Sequence, residues 1–379
     1  MNLVINNYLK ELELKINTNT NLKKDELDKL EKKLFSLDSE YKNNPKINFF
    51  LGEIKFLKLE LENAIMFYKK SLDLDPEFIN AKNKLKIANN EKLNLIIYLS
   101  FINPSSNIDN PIIQTNNKLQ KIKYNYEPNI RIRNEFVKNL YKEIEDCILQ
   151  QKIDTDVETS QIVREGYYKY DCLRHFEVFN TFKVIPKYCF NCYKVQINPR
   201  NVLDLIKLFI IFDNLDFISD LTKKCMIELR ENVEGTYKGL IYCHSINEAE
   251  KIKDTVSKNI DLCIDKNIPI FIKRGCTEFG QTFPDYKELN KKNKNFLNYN
   301  EEWKVYEKII DDKNSNNKIP QLKEKSLNGI TLKDAIVIKN WMYYAKKIGD
   351  SSYKLISENP TYSNYIDKKV KKIVINKFY

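Results

Sequence analysis

The chain has 379 residues, 42% of them hydrophobic, and a formal net charge of +11. That length exceeds one ordinary core and predicts two or three domains, while the hydrophobic content excludes wholesale disorder. Arginine occurs only at positions 131, 133, 164, 174, 200, 230 and 274, so the excess is lysine, which reads as solvated surface and argues against nucleic acid.

The first residues, MNLVINNYLKELELK, alternate apolar and charged positions and lack the unbroken apolar stretch of a secretory signal. The longest apolar run, Leu203 to Ile218, is interrupted by Asp204, Lys207, Asp213 and Asp216, so no membrane span is expected. A cytoplasmic location follows. The eight cysteines then read as reduced thiols or metal ligands, not disulfides.

Residues 1–100 read as a helical module. Leu27, Leu30, Leu34 and Leu37 recur at helical spacing. Further on, Leu51 and Gly52 are followed by Ala64, Tyr68, Ser71 and Pro76. Small residues at 52 and 64 let two antiparallel helices approach, Tyr68 fills the gap beside them, and Pro76 stops the second helix. This pattern resembles the tetratricopeptide repeat. Asn48 and Lys55 stand where that family has large aromatics, and the next unit keeps only Leu85 before Asn89 and Asn90. The resemblance implies helical hairpins that bind a protein or peptide partner through residues 24–100.

Residues 101–128, with Pro104, Pro111, Pro128 and many Asn and Ser, read as a linker. Residues 129–182 read as a helical connector, marked by Phe136, Leu140, Ile144 and Ile148. Over 183–280 short strands alternate with helices. The strands are YCFNCYKVQI, KCMIEL, GLIYC and IPIFIK, with a turn at Glu234-Gly235. One helix spans Asn201 to Phe212, and another runs from Ser245 to Ile260 behind a Ser245–Glu248 cap. The β-α-β-β-α-β order predicts a ferredoxin-like sheet with strand order 4-1-3-2, making the class α+β. Residues 281–379 read as a helical C-terminal extension. It has a loop at Asp311 to Asn317, a helix start at Thr331 and Asp334, an apolar stripe of Trp341, Ala345 and Ile348, and a stop at Gly349.

That strand order brings the starts of the first two strands beside the ends of the last two. Cys189, Cys192 and Cys225 are thereby expected near Cys243, His244 and Cys276. Cys172 and His175 form a Cys-x-x-His just upstream of the Cys-x-x-Cys at 189 and 192. The candidate metal ligands are Cys189, Cys192, Cys243 and Cys276, with Cys225, Cys172 or His175 as substitutes. Such a set suits zinc or an iron–sulphur cluster. Against it, free cysteine packs like a small apolar side chain, and a regular strand points residues 189 and 192 to opposite faces.

Lys273-Arg274-Gly275-Cys276-Thr277-Glu278 offers a second chemistry, with Cys276 as a nucleophile beside two cations and His244 or His175 as its base. Lys238 to Tyr242 followed by Asn247-Glu248-Ala249 is similar to the third strand and second helix of RNA-recognition motifs. Leu240 replaces one of that family's stacking aromatics, leaving Tyr242, with Tyr193 on the first strand. The leading expectation is an interaction or scaffold protein with a metal-holding cysteine-rich domain. The alternatives are a thiol-dependent enzyme using Cys276 or an RNA-binding module.

Overall fold

Leucines at helical spacing fold Lys24–Glu40 into helix α1, which buries Leu27 and Leu34 and leaves Phe35 exposed. Pro45 in its first turn, and Asn44 accepting from the Lys46 amide, start α2 (Pro45–Leu57). Helices α3 (Leu61–Leu74) and α4 (Ile79–Asn89) follow. The chain divides into two compact units, Met1–Asn117 and Lys118–Tyr379. The computed structural model describes residues 7–13, 24–40, 44–58, 60–89, 111–124, 127, 129–150, 156–168, 170–215, 218, 220–314 and 329–378. Residues 90–110, covering the expected end of the repeat module and the first ten residues of the expected linker, lie outside the described residues, as do residues 315–317 of the expected loop.

In the first unit α2 and α3 pack as an antiparallel pair, with Ala64 and Tyr68 fully buried between them. Gly52 lies against the Tyr68 ring, and a Cβ there would overlap it. The Tyr68 hydroxyl donates to Glu53 at 2.6 Å, and Ser71 donates to the Pro45 carbonyl at 2.8 Å. Asn48 is buried and reaches Asp38, while Lys55 pairs with Glu31 and Glu60, so the two departures from the repeat pattern make polar contacts. Gly52→Ala is expected to lower stability by about 1–3 kcal/mol, because the ring must leave its hydrogen bond to make room. The check is the urea midpoint of the helical circular-dichroism signal, and an unchanged midpoint would contradict this contact.

Part of the expected linker is helical, as α5 (Pro111–Leu119). In the second unit α6 (Asn134–Gln150) buries Leu140, Ile144 and Ile148, as their spacing predicts. Strand β1 (Gln161–Arg164) then falls where only helix was expected. Four residues are too few to show a period of two, and β1 exists because it pairs with the free edge of β3. After α7 (Cys172–Phe182) come β2 (Tyr193–Ile197), α8 (Val202–Asn214), β3 (Lys223–Ile227), β4 (Tyr237–Cys243), α9 (Ile246–Cys263) and β5 (Ile270–Arg274). Tyr188 to Cys192, expected as part of a strand, instead lie in or beside a 3-10 turn over Lys187–Asn191 that follows Pro186.

The sheet order is β1-β3-β4-β2-β5, antiparallel throughout. Its last four strands have the expected order, with β2 and β4 central. Helix α8 packs on β3 and β4, and α9 packs on β2, β4 and β5. Gly239 lets Leu208 and Phe212 of α8 come down onto β4, where a Cβ would overlap Leu208. Short helix α10 (Thr277–Thr282) follows β5. Helix α11 (Lys304–Asn314) extends through the first residues of the expected loop because Arg174 binds Asp311 with two hydrogen bonds.

Helix α12 (Leu332–Ile348) opens on a full Thr331–Asp334 capping box and ends at Gly349 with φ +82°. It is no appendage. Trp341 is fully buried and donates to the Ser160 carbonyl, and Asn340 donates to the Val157 and Thr159 carbonyls, tying α12 to the segment that leads into β1. Helix α13 (Asn364–Phe378) packs against α12. Among the described residues no helix is long and apolar enough to cross a membrane.

Candidate functional site

Side chains on a strand alternate between faces. Tyr237, Gly239, Ile241 and Cys243 of β4 share the face that meets α8, so Lys238, Leu240 and Tyr242 take the other. The same parity puts Lys194 of β2, Lys224 of β3 and Lys273 of β5 on that second face. There a pocket of about 430 Å³ is lined by these four lysines, Arg230, Glu228, Glu278, Cys172, Cys276, Met226, Leu240 and Tyr242, with Tyr365 and Lys369 of α13 also contributing. Neither α8 nor α9 lines it.

The cations are unequally matched. Lys238 donates to Glu228 at 2.9 Å, and Arg230 binds Glu228 with both ends of its fork and also pairs with Glu278. Lys273 donates to the Thr277 hydroxyl at 2.8 Å. Lys194 is 5% exposed, lies 3.3 Å from the Cys276 sulphur and sits over the Tyr242 ring. Lys224 has no hydrogen-bond or ion-pair partner among the described residues. Burial, then the charge of Lys194, pushes Lys224 and Lys273 down to about 8. Burial acts on Lys194 in the same direction, but Cys276, Tyr242 and Cys192 outweigh it and hold Lys194 above its ordinary value.

Gly275 delivers Cys276 to this pocket. Its φ of +53° turns the chain out of β5, its amide donates to the Cys192 carbonyl at 2.7 Å, and a side chain there would overlap Tyr286. Of the expected Lys273-Arg274 pair, only Lys273 reaches the pocket. Arg274 points the other way into a cage of Phe190, Tyr286 and Phe296 and donates to the Phe190 and Leu297 carbonyls.

The expected metal ligands separate into groups. Cys172, His175, Cys189, Cys192 and Cys276 line a second, much smaller cavity of about 10 Å³, to which Cys225 and Cys243 contribute nothing. Cys225 stands opposite Gly239, four residues from the level of Cys243 or about 13 Å along the strand, and both face the helices. Cys189 packs among Phe179, Phe190, Phe279 and Tyr286, while Cys192 packs against Leu240 and Tyr242. Burial pushes Cys192 and Cys243 up to about 12 and Cys189 well above its usual value, so these thiols keep their protons. Among the described residues no group of three or more His, Cys, Asp or Glu side chains is placed to hold a metal ion.

Neither histidine contacts the Cys276 sulphur through a hydrogen bond; the group there is Lys194. His244 meets the Tyr170 hydroxyl at 3.0 Å and lies against Tyr168, and His175 stacks on Tyr188. Burial lowers both histidines. Of the aromatic positions compared with RNA-recognition motifs, Tyr193 is 1% exposed on the helix side, and Tyr242 is covered by Tyr170 and Lys194.

No protein family, curated protein or solved structure matches the chain. The site therefore rests on geometry. Its lysines carried a signal in the sequence: each of the four strands holds a lysine at a position of one parity, in YKVQI, KKCMI, YKGLIYC and IFIKR. Taking lysine as solvated surface hid it, because four of these lysines line one cavity.

Proposed function

We propose that the second unit binds a small anionic ligand bearing a phosphate or similar group in the lysine-lined pocket. The observation that carries this is the imbalance of charge: Lys194, Lys224 and Lys273 enter the pocket without a carboxylate partner. Gathering uncompensated cations in a buried site costs free energy, and an anion that accepts from several of them offsets that cost. The volume suits a small molecule, and Met226, Leu240 and Tyr242 supply apolar wall beside the charges. RNA fits less well, because Tyr170 occupies the face of the tyrosine on which a base would stack. We read the sheet with α8 and α9 as ferredoxin-like, extended by β1. We read the first unit as a tetratricopeptide-like hairpin that docks a protein or peptide, so the chain would join a ligand-binding domain to an interaction module.

Isothermal titration with inorganic pyrophosphate at pH 7 tests the pocket. Saturable binding that Lys224→Met weakens by about tenfold or more is expected, as for one lost charge-assisted hydrogen bond. Absence of binding by pyrophosphate and by a panel of phosphorylated metabolites, together with tight binding of single-stranded RNA, would replace this reading by the RNA one.

A further inference from the structure

We propose that Cys276 is a nucleophile toward an electrophilic centre on the pocket's anionic ligand, with the Lys194 ammonium stabilising negative charge on its sulphur. The inference builds on the anion-binding reading and assigns that site a chemistry. Lys194 is a buried cation that donates a hydrogen bond to the Cys276 sulphur, 3.3 Å away. Its other close neighbour is the Tyr242 ring, with the ammonium 4.8 Å from the centroid. A buried ammonium favours an anion beside it, and sulphur is the atom placed to carry that charge.

Cys172 also lines the pocket, but the hydrogen bond from Lys194 goes to Cys276, and three other cysteines differ more. Cys243 makes a long contact to the Ile241 carbonyl of its own strand, and Cys189 and Cys192 pack into apolar clusters. Cys276 is also partly exposed, lines the main pocket, and faces two further lysines without a carboxylate partner, Lys224 and Lys273. A ligand anion held by those two lysines presents its remaining atoms to the sulphur. In the reaction the Cys276 thiol gives its proton to water, the sulphur donates the electron pair so freed to the electrophilic centre, and a sulphur–ligand bond forms. The bond to the leaving group breaks and that group departs with the pair, as iodide does from iodoacetate, while the Lys194 ammonium keeps its proton.

Iodoacetamide and iodoacetate, neutral and anionic versions of one electrophile, test this when labelling is mapped to each cysteine by mass spectrometry. In both, sulphur displaces iodide. Cys276 is expected to label about tenfold faster than Cys147, a partly exposed cysteine on α6, and to favour iodoacetate over iodoacetamide about tenfold more than Cys147 does. Lys194→Met should slow Cys276 by about tenfold, and Lys194→Arg should restore much of the rate. Labelling of Cys276 no faster than that of Cys147 in the wild-type protein overturns the proposal, whether or not the Met variant folds. So does a Lys194→Met protein that folds and labels at the wild-type rate. If pyrophosphate fails to bind while Cys276 stays fast and dependent on Lys194, the ligand reading falls and the nucleophile stands.

Discussion

Arg164→Met is expected to destabilise the second unit by about 3–5 kcal/mol, the cost of leaving buried carboxylates without their cation. Arg164 of β1 is 2% exposed. It binds Asp334 of α12 through two hydrogen bonds of 3.0 and 2.9 Å, and Asp213 of α8 at 2.9 and 3.2 Å. Asp334 also accepts from the Thr331 amide, so it cannot turn away without undoing the cap of α12. Burial alone would raise both carboxyls. The arginine overcomes this at Asp334, which is held below its usual value, and does not at Asp213, which stays raised.

The sign of the pH dependence follows. A depressed Asp334 contributes stability above its unfolded pKa and loses it as pH falls through its folded one. Without Arg164 both carboxyls rise, so the variant is worst off near pH 7 and recovers part of the loss as pH falls and they take up protons. Urea denaturation at pH 7 and pH 5 measures both effects. Arg131→Ala, at a largely exposed arginine 3.8 Å from Asp265, should leave the midpoint unchanged. A loss below about 1 kcal/mol for Arg164→Met would mean that water reaches the two carboxylates.

The double variant Lys224→Met with Lys273→Met is expected to weaken pyrophosphate binding at pH 7 by about 100-fold or more. Two charge-assisted hydrogen bonds contribute about 3–6 kcal/mol together. In the wild-type protein the affinity should fall as pH rises from 7 to 9. Lys224 faces Lys194, Arg230, Cys276 and Cys172, and Lys273 faces Lys194, Cys276, Lys238 and Glu278. With both pushed down to about 8, these lysines are largely charged at pH 7 and largely neutral at pH 9. Lys194 is held above its ordinary value and keeps its charge throughout, so binding weakens without vanishing. Lys291→Met, on an exposed stretch, serves as the control and should bind as the wild type does. Affinity that does not change over this pH range would show that neither lysine touches the anion.

Local chemistry made much of the architecture readable from the sequence. The Gly52, Ala64 and Tyr68 spacing places a close helix contact, Ser245 and Thr331 cap the helices they precede, and Gly349 ends α12. Each of these acts through residues a few positions apart, or through one helix pair. The order of the four strands was also legible, since short antiparallel strands alternating with helices leave few ways to pair.

What needed the tertiary structure was which side chains meet. Cys189 and Cys192 are three residues apart in the chain, yet the 3-10 turn sends them to different clusters. Lys273 and Arg274 are adjacent and face opposite sides of the sheet. Lys194, Lys224, Lys238 and Lys273 are scattered over eighty positions, and only strand pairing brings them into one pocket. The sequence by itself determined most of the helices, the caps at Ser245 and Thr331 and the order of four of the five strands, because those depend on local propensity and periodicity. The partner of Cys276, the position of the charge and the integration of α12 through Arg164 and Asp334 were decided by packing, because side chains distant in sequence interact only once the sheet aligns them.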